Sequence, residues 1–294
     1  MHLPAYMERR RQIVDEALDG LLPPVASPPS DLHKAMRYSV LAPGKRLRPI
    51  LALASAEAVG GDWNSVVPAA CALECIHAFS LIHDDLPCMD DDEYRRGRPT
   101  NHTVFGEAIA LLAGDALLAL AFEMLAANAA DLAPERVARA VTMVARASGT
   151  WGMVGGQVVD MQSQGQDTDA DTLQYIHAHK TGALLTASSC IGALLVGASE
   201  ERLADLRSFG QRVGLAFQIT DDILDVVGDE DRIGKRPGSD VKHDKATYPK
   251  LYGLDESLRR ARRESEEAVE ALGRFGPEAD PLRGLAKFVV ERDL

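Results

Sequence analysis

The chain has 294 residues, with 32 Lys and Arg against 44 Asp and Glu, and therefore a formal net charge of −12. This acidic balance argues against nucleic-acid binding, and 46% hydrophobic with 26% charged residues is typical of a globular protein with a large core. Two short segments hold six carboxylates each, which together equal the net charge: Asp84, Asp85, Asp90, Asp91, Asp92 and Glu93, and Asp221, Asp222, Asp225, Asp229, Glu230 and Asp231.

The chain carries no clear targeting or membrane signal. Its first eleven residues lack the apolar run of a secretory signal. The most apolar stretch, residues 108–130, contains Asp115 and Glu123 and is predicted to be a buried helix. The four cysteines include no CxxC pair. These features predict a cytoplasmic protein in a reducing environment, without stable membrane insertion.

Apolar residues recur at spacings of three and four along Ala- and Leu-rich segments, which predicts an all-α fold. We expect a single domain over residues 1–294, built as a bundle of roughly ten or more helices. The predicted helices are 3–20, 31–41, 48–60, 64–86, 103–129, 134–151 with a possible extension to about 163, 171–198, 200–228, 245–252, 254–273 and 279–292. The polar stretch 229–245 is long for a connector and is predicted to be a mobile active-site loop.

The first acidic segment follows an apolar helix. Asp84 and Asp85 end this helix, and Pro87 is expected to bend the chain so that Asp90 turns back toward Asp84. Adjacent carboxylates beside a core face repel one another and are costly to desolvate without a cation. Because oxygen ligands without a dense set of His or Cys suit Mg²⁺, the segment is predicted to bind magnesium rather than zinc.

The second acidic segment lies in another apolar helix. Asp221 and Asp225 are four residues apart and are expected to share a helix face, with Gln218 one turn earlier and Asp222 adjacent. Cations follow both acidic segments, and a third group of cations opens a helix after a Pro–Gly turn, where anions are favoured. These cations are Arg95, Arg96 and Arg98, then Lys235, Arg236, Lys242 and Lys245, and finally Lys45, Arg46 and Arg48. The combination predicts a phosphorylated, hydrocarbon-tailed substrate held through metal.

Five motifs give the sequence a specific resemblance. It is similar to trans-type isoprenyl (polyprenyl) diphosphate synthases, and most similar to bacterial farnesyl diphosphate synthases. The motifs are Gly44-Lys45-Arg46-Leu47-Arg48-Pro49, the DDxxxxD…RR segment Asp84–Arg96, Lys180-Thr181-Gly182, Gln218 with Asp221-Asp222-Ile223-Leu224-Asp225, and Gly234-Lys235…Asp240…Lys245-Ala246-Thr247-Tyr248-Pro249. They occur in the family's order over most of the chain.

The resemblance implies an isoprenoid synthase fold with a deep central cavity, a homodimer and three Mg²⁺ ions per active site. The implied metal ligands are Asp84, Asp90 and Asp221, supported by Asp85, Asp222 and Asp225. The implied contacts of the allylic diphosphate are Arg95, Lys180, Thr181, Gln218, Lys235 and Lys245. Lys45, Arg48, His77 and Arg96 would hold isopentenyl diphosphate.

The resemblance also implies the reaction. The allylic diphosphate ionises, the alkene of isopentenyl diphosphate attacks the carbocation, and a proton is lost, with the departing diphosphate as the base. The side chains implied in catalysis are Lys180, Thr181, Gln218, Arg95 and Lys235. An apolar cavity wall matters because water would quench the cation.

Two residues upstream of Asp84 are implied to form the cavity floor. They are Phe79 and Ser80, although helix geometry alone turns Phe79 about 140° away from Asp84. An aromatic residue at this position resembles enzymes that stop at C15, so farnesyl diphosphate is the expected main product.

Three alternatives stay open at this point. The first is a geranyl or geranylgeranyl diphosphate synthase of the same family. The second is a non-catalytic regulatory subunit, which the intact aspartate motifs and Lys180 disfavour. The third is a terpene cyclase, which would have no use for a second diphosphate site at Lys45 and Arg48.

Overall fold

The computed structural model describes residues 2–166, 168–227 and 247–291. Over these residues the backbone is almost entirely helical, and the only β-structure described is a short hairpin, β1 (Tyr94–Arg95) and β2 (Arg98–Pro99). The α-helices are α1 (Leu3–Leu21), α2 (Ser30–Val40), α3 (Leu47–Ala58), α4 (Val67–Asp84), α5 (Asn101–Phe105), α6 (Glu107–Ala127), α7 (Pro134–Ser148), α8 (Met153–Ser163), α9 (Ala170–Ile176), α10 (Ala183–Val196), α11 (Glu200–Val227), α12 (Tyr248–Tyr252), α13 (Leu254–Ala271) and α14 (Asp280–Glu291).

Four shorter helical segments lie between these helices in the described residues. Three are 3₁₀ turns, at Trp63–Val66, Asn128–Ala130 and Pro277–Ala279. A fourth, His177–Gly182, is a π-helix that joins α9 to α10. The predicted loop 229–245, with Lys235 and Lys245, lies outside the described residues.

The helices enclose one continuous core. Buried apolar side chains form a cluster that extends along the chain from Tyr6 to Val290. Helices α3, α4 and α10 are buried around most of their circumference, whereas α6 packs on α4 and α13 packs on α11. The backbones of α3 and α10 approach closely at Gly192, where a Cβ atom would lie 1.9 Å from the Ala52 carbonyl oxygen. The all-α bundle predicted from the apolar periodicity is therefore confirmed.

Two predicted helices are divided. The helix predicted over 103–129 is broken at Gly106, whose φ of 83° an L-residue rarely adopts, so α5 and α6 have different directions. The helix predicted over 134–151 ends at Ser148 and does not extend to 163. At Gly152 a Cβ atom would lie 2.1 Å from the Ala147 carbonyl oxygen, so the chain turns there before α8 begins.

The helix predicted over 171–198 is helical as far as Val196 but changes type. Its central turn, His177–Gly182, has π geometry between α9 and α10. Short π segments inside α-helices occur frequently at functional sites. This segment contains Lys180 and Thr181, two of the predicted site residues.

Two described segments are long and apolar enough to cross a membrane by length and composition, Trp63–Asp84 and Glu107–Ala127. The most apolar part of the first is 67% buried inside the bundle, and that of the second 39%. On the second, α6, Leu111 and Leu112 are 45% and 52% exposed. The outer face of α6 is therefore an apolar surface that is not covered by the residues the structure describes.

Candidate active site

A cavity of about 640 Å³ lies between α4, α8, the π-helix and α11. Its charged and polar lining includes Asp84, Asp90, Asp92, Arg95, Lys180, Thr181, Gln218 and Asp221. Its apolar lining includes Phe79, Leu81, Met89, Met153, Val154, Val158, Met161, Phe217 and Leu224. Residues of both acidic segments therefore line the same cavity, and the rest of its wall is largely apolar.

The first acidic segment bends as predicted. Beyond α4 the Asp90 amide donates to the Asp84 carbonyl oxygen at 2.9 Å, and the Asp91 amide donates to the Leu86 carbonyl oxygen at 3.2 Å. Asp91 takes a left-handed backbone conformation, with a φ of 52°. The bend brings Asp90 back beside Asp84, and both residues border the cavity.

Asp85 has a different position. Its side chain is buried and does not border the cavity, but its Oδ1 atom lies 2.6 Å from Nη2 of Arg95. Burial raises the pKa of Asp85 to about 6, although the charge and hydrogen bond of Arg95 act in the opposite direction. Arg95 itself borders the cavity, so Asp85 holds an arginine that faces the substrate space.

The hairpin after the first acidic segment carries two consecutive arginines, Arg95 and Arg96, which both line the cavity. Its turn contains Arg96 and Gly97, both with positive φ, as in a two-residue hairpin turn of type I′. Arg96 donates from Nη1 to the Pro43 carbonyl oxygen at 2.9 Å. A Cβ atom at Gly44 would lie 2.7 Å from the same nitrogen, so a larger residue there would displace the Arg96 guanidinium from this position. The contact joins the hairpin to the cationic segment before α3.

A second chamber of about 490 Å³ adjoins the cavity. The four side chains predicted to hold isopentenyl diphosphate, Lys45, Arg48, His77 and Arg96, all line it. The last three, together with Asp221, also line the main cavity. Burial and the charges of Arg48 and Arg96 hold the pKa of His77 well below its usual value, so this imidazole is neutral at pH 7. The chamber is therefore a cationic space continuous with the main cavity.

Arg46 borders this chamber, but its guanidinium is held by other side chains. It is 4% exposed and lies 2.7 Å from carboxylate oxygens of both Asp15 and Glu74. Its backbone is left-handed, with a φ of 49°, and Nη2 donates to the Ala42 carbonyl oxygen. Of the three cations predicted to form a phosphate site here, Arg46 instead anchors the segment that presents the other two.

Lys180 extends from the π-helix toward α8. Its Nζ atom lies 2.6 Å from Oδ2 of Asp160. Burial disfavours its charge, but the carboxylates of Asp160, Asp84 and Asp90 outweigh burial and raise the pKa of Lys180. A Cβ atom at Gly156 would lie 2.2 Å from the Lys180 backbone nitrogen, which explains the glycine by close packing. The position of Asp160, one turn after this glycine, is the sequence signal that could have identified the partner of Lys180.

The second acidic segment divides its carboxylates between two environments. Asp221 borders both the cavity and the cationic chamber. Asp222 and Asp225 are 3% and 4% exposed and do not border either space. Asp221 and Asp225 were expected to share a helix face, but only Asp221 borders the cavity. Gln218 borders the cavity and accepts a hydrogen bond at Oε1 from the Thr181 hydroxyl at 2.7 Å.

The donor set fits a magnesium cluster completed by substrate. In the part of the chain that the structure describes, no three His, Cys, Asp or Glu side chains form a ready-made ion site. Asp84 and the neighbouring Asp90, together with Asp221 of α11, instead border one cavity and offer only oxygen ligands. Mg²⁺ is usually bound by one or two carboxylates, with waters and substrate phosphates as the other ligands.

The two predicted floor residues, Phe79 and Ser80, both line the cavity. The ring of Phe79 meets the imidazole of His83 edge to face, with centroids 4.8 Å apart. Nε2 of His83 lies 3.0 Å from the Leu111 carbonyl oxygen, and a Cβ atom at Gly114 would lie 2.2 Å from the same nitrogen. His83 also lines the cavity, a position that the sequence did not indicate. The signal available was the single glycine of the Ala- and Leu-rich helix α6.

Comparisons with known proteins identify the family of this chain. The model of the polyprenyl synthetase family matches residues 29–275. The geranylgeranyl diphosphate synthase of Cyanophora paradoxa is 47% identical over 99% of this chain and 97% of its own length. The chloroplastic geranylgeranyl pyrophosphate synthase of Catharanthus roseus is 48% identical over 98% and 81%, respectively.

Solved structures show the same fold. The FPP/GFPP synthase of Zymomonas mobilis, in its apo form, superimposes with a TM-score of 0.87 at 37% identity, and the match covers 98% of both chains. The fold, the two aspartate motifs and the family match lead to one conclusion: the chain belongs to the polyprenyl synthetase family, a family of prenyltransferases.

Proposed function

We propose that the protein is a Mg²⁺-dependent enzyme that condenses isopentenyl diphosphate with allylic diphosphates. One observation carries this proposal: Asp84, Asp90 and Asp221 border a single cavity whose wall continues into apolar side chains, beside a cationic chamber. A regulatory subunit would not need this complete set of groups.

Each group has a role in the reaction. Asp84, Asp90 and Asp221 would hold Mg²⁺, three ions per site, and the bound metal would supply positive charge to the oxygens of the allylic diphosphate. Arg95 and Lys180 bind the same diphosphate, and Lys235 and Lys245 add two more cations. The allylic C–O bond breaks and its electron pair leaves with the diphosphate.

The second substrate lies in the adjoining chamber. Lys45, Arg48 and Arg96 bind the diphosphate of isopentenyl diphosphate, and neutral His77 offers a hydrogen bond without a further charge. The alkene forms the new C–C bond to the allylic carbon, and a proton passes to the released diphosphate. Apolar lining residues such as Val158 and Met161 would pack against the hydrocarbon tail of the substrate and so keep water, which would quench the cation, away from it.

We propose geranylgeranyl diphosphate as the main product. Two relatives named for that product are 47% and 48% identical to this chain, more than the 37% of the FPP/GFPP synthase. Farnesyl diphosphate, the product expected from the sequence, is the second candidate. It is favoured by Phe79, an aromatic ring on the cavity wall beside Ser80.

The proposal extends to assembly and location. The exposed Leu111 and Leu112 of α6 support a homodimer in which this face is covered by a second copy. The packing of α4 within the bundle supports an enzyme without membrane insertion. We propose a cytoplasmic location, as expected from the sequence. Residues 1–294 would act as one catalytic unit.

The experiment is a product analysis with purified protein, Mg²⁺ and isopentenyl diphosphate, offering dimethylallyl, geranyl or farnesyl diphosphate separately. We expect all three to be extended and the final product to be C20. Accumulation of C15 without use of farnesyl diphosphate would select the second candidate. Absence of condensation with every allylic substrate would contradict the proposed activity.

A further inference from the structure

A series of hydrogen bonds leads from the cavity into the core beside α11. The Thr181 hydroxyl donates to Oε1 of Gln218 at 2.7 Å. Nε2 of Gln218 donates to Oδ1 of Asp222 at 3.0 Å. Oδ2 of Asp222 accepts the backbone amide of Tyr248 at 2.9 Å. Two residues that line the cavity are thus connected through one buried carboxylate to the start of α12.

The surroundings of Asp222 are those of a fixed structural group. Its side chain is 3% exposed, and Nε2 of the buried His177 lies 3.4 Å from its Oδ2 atom. The His177 ring stacks on the Tyr248 ring, with centroids 5.3 Å apart and planes 16° apart. Its neighbour Asp221 borders the cavity, whereas Asp222 does not, because successive helical residues point about 100° apart.

This arrangement determines which way the Gln218 amide faces. An ionised carboxylate only accepts hydrogen bonds, so Asp222 must be met by the NH₂ group of Gln218. The amide oxygen is then directed to Thr181, whose hydroxyl proton is used in that contact. Both residues line the cavity, where oxygen atoms with free lone pairs would stabilise a developing cation and an NH₂ group would oppose it.

We infer that Asp222 is a positioning residue that sets the orientation of the Gln218 amide, and that it does not ligate the metal. The inference rests on the proposed function, because it concerns the stabilisation of the carbocation. The two adjacent carboxylates of the second acidic segment then have different roles. Asp221 would bind the metal that holds the diphosphate, and Asp222 orients Gln218 and, through it, Thr181.

The first test compares Asp222→Asn with Asp221→Asn as its matched control on the neighbouring residue. Asp222→Asn keeps the shape of the side chain but places an NH₂ group opposite either the NH₂ group of Gln218 or the backbone amide of Tyr248. We expect kcat to fall by roughly tenfold or more, the effect of one misdirected polar group. The Mg²⁺ concentration for half-maximal rate should stay within about twofold of wild type, because no metal ligand is lost.

Asp221→Asn should instead raise the half-saturating Mg²⁺ concentration by roughly tenfold or more, since it removes a ligand. The inference would be overturned if Asp222→Asn raised the Mg²⁺ requirement as Asp221→Asn does. An unchanged kcat in Asp222→Asn would overturn it equally.

The second test uses the wild-type chain and needs no catalysis. Tyr248 is the first residue of α12, so its amide has no partner within the helix and its protection from hydrogen exchange reports the bond to Asp222. We expect protection that does not change when Mg²⁺ and inorganic diphosphate are added. Faster exchange on their addition would show that Asp222 leaves Tyr248 for the metal. This measurement does not depend on whether the wild type condenses isoprenyl substrates. The proposed function and the positioning role of Asp222 can therefore fail separately.

Discussion

Phe79 lies on the wall of the cavity, five residues before Asp84 on α4, and therefore about 7.5 Å deeper along the helix axis. Its ring rests on His83, which is in turn fixed against the Leu111 carbonyl and Gly114 of α6. A ring held in this way on α4 can limit how far a growing hydrocarbon chain extends. The sequence pattern indicated Phe79, but it did not indicate the contact of its ring with His83.

Removal of this ring is expected to lengthen the product. In Phe79→Ala the space of the phenyl group becomes part of the cavity, so the main product should gain one or more C5 units. The measurement is the product chain length with farnesyl diphosphate as the allylic substrate. Ser80→Ala, which changes the adjacent lining residue by a single oxygen atom, serves as the control. An unchanged product distribution in Phe79→Ala would contradict the role of this residue as the floor.

The roles of single carboxylates show what the sequence could and could not predict. The family resemblance implied Asp84, Asp90 and Asp221 as the metal ligands, and all three border the cavity. Asp85 and Asp222 have the same residue type and adjacent positions, but each is buried against a partner distant in sequence or on another element. Their environment depends on tertiary packing, which local spacing does not encode.

At the level of elements, the segment before α3 depends on a buried ion pair. Arg46 lies between Asp15 of α1 and Glu74 of α4, so it joins three helices while presenting Lys45 and Arg48. Glu74→Ala should lower the free energy of unfolding by about 3 kcal/mol, because it leaves a buried guanidinium with one fewer counter-charge. Urea denaturation provides the measurement, with the exposed Glu123→Ala on α6 as the control. A loss below about 1 kcal/mol would contradict this role.

His177, in the π-helix, should make the free energy of unfolding depend on pH. Burial lowers the pKa of His177 from 6.5 to about 3, so below pH 6.5 the unfolded chain binds a proton that the folded chain does not. Stability is therefore complete above pH 6.5 and is lost as the pH falls toward 3. Between pH 6.5 and 5.5 the expected loss from this residue is about 1 kcal/mol.

The measurement is urea denaturation at these two pH values for wild type and His177→Phe. The phenylalanine keeps a ring to stack on Tyr248 but cannot take up a proton. Its unfolding free energy should therefore fall less than that of wild type, by about the 1 kcal/mol assigned to His177. Equal pH dependence in the two proteins would show that His177 does not carry this effect.

The existence and order of the helices could be predicted because apolar spacing records which face is buried. The interruptions at Gly106 and Gly152 could not, because a glycine in an Ala-rich sequence is compatible with a helix. At Gly106 only the positive φ, and at Gly152 only the contact with the Ala147 carbonyl, shows that the helix must stop. The π turn at His177–Gly182 likewise has no distinct sequence period.

At the level of the whole molecule, α6 presents an apolar surface on the outside of the bundle. Leu111 and Leu112 lie on this surface, with Val104 exposed on the preceding α5. We predict that Leu112→Glu converts a homodimer to a monomer, because a charge would then have to be buried in the interface. Sedimentation equilibrium measures the change, and Val25→Glu, at an exposed apolar residue elsewhere, is the control. A wild-type chain that is monomeric at micromolar concentration would contradict the prediction.

The net charge of −12 equals the charge of the two acidic segments. Their cavity-lining members include Asp84 at the end of α4, Asp90 in the turn after it and Asp221 on α11. The central claim is that these carboxylates act together through Mg²⁺ on one diphosphate. The most direct measurement is the steady-state condensation rate with Mg²⁺ for wild type, Asp84→Ala and Asp221→Ala, with circular dichroism as the check on folding. We predict that each variant folds normally and loses several orders of magnitude in turnover. Near-normal turnover in either folded variant would contradict the claim.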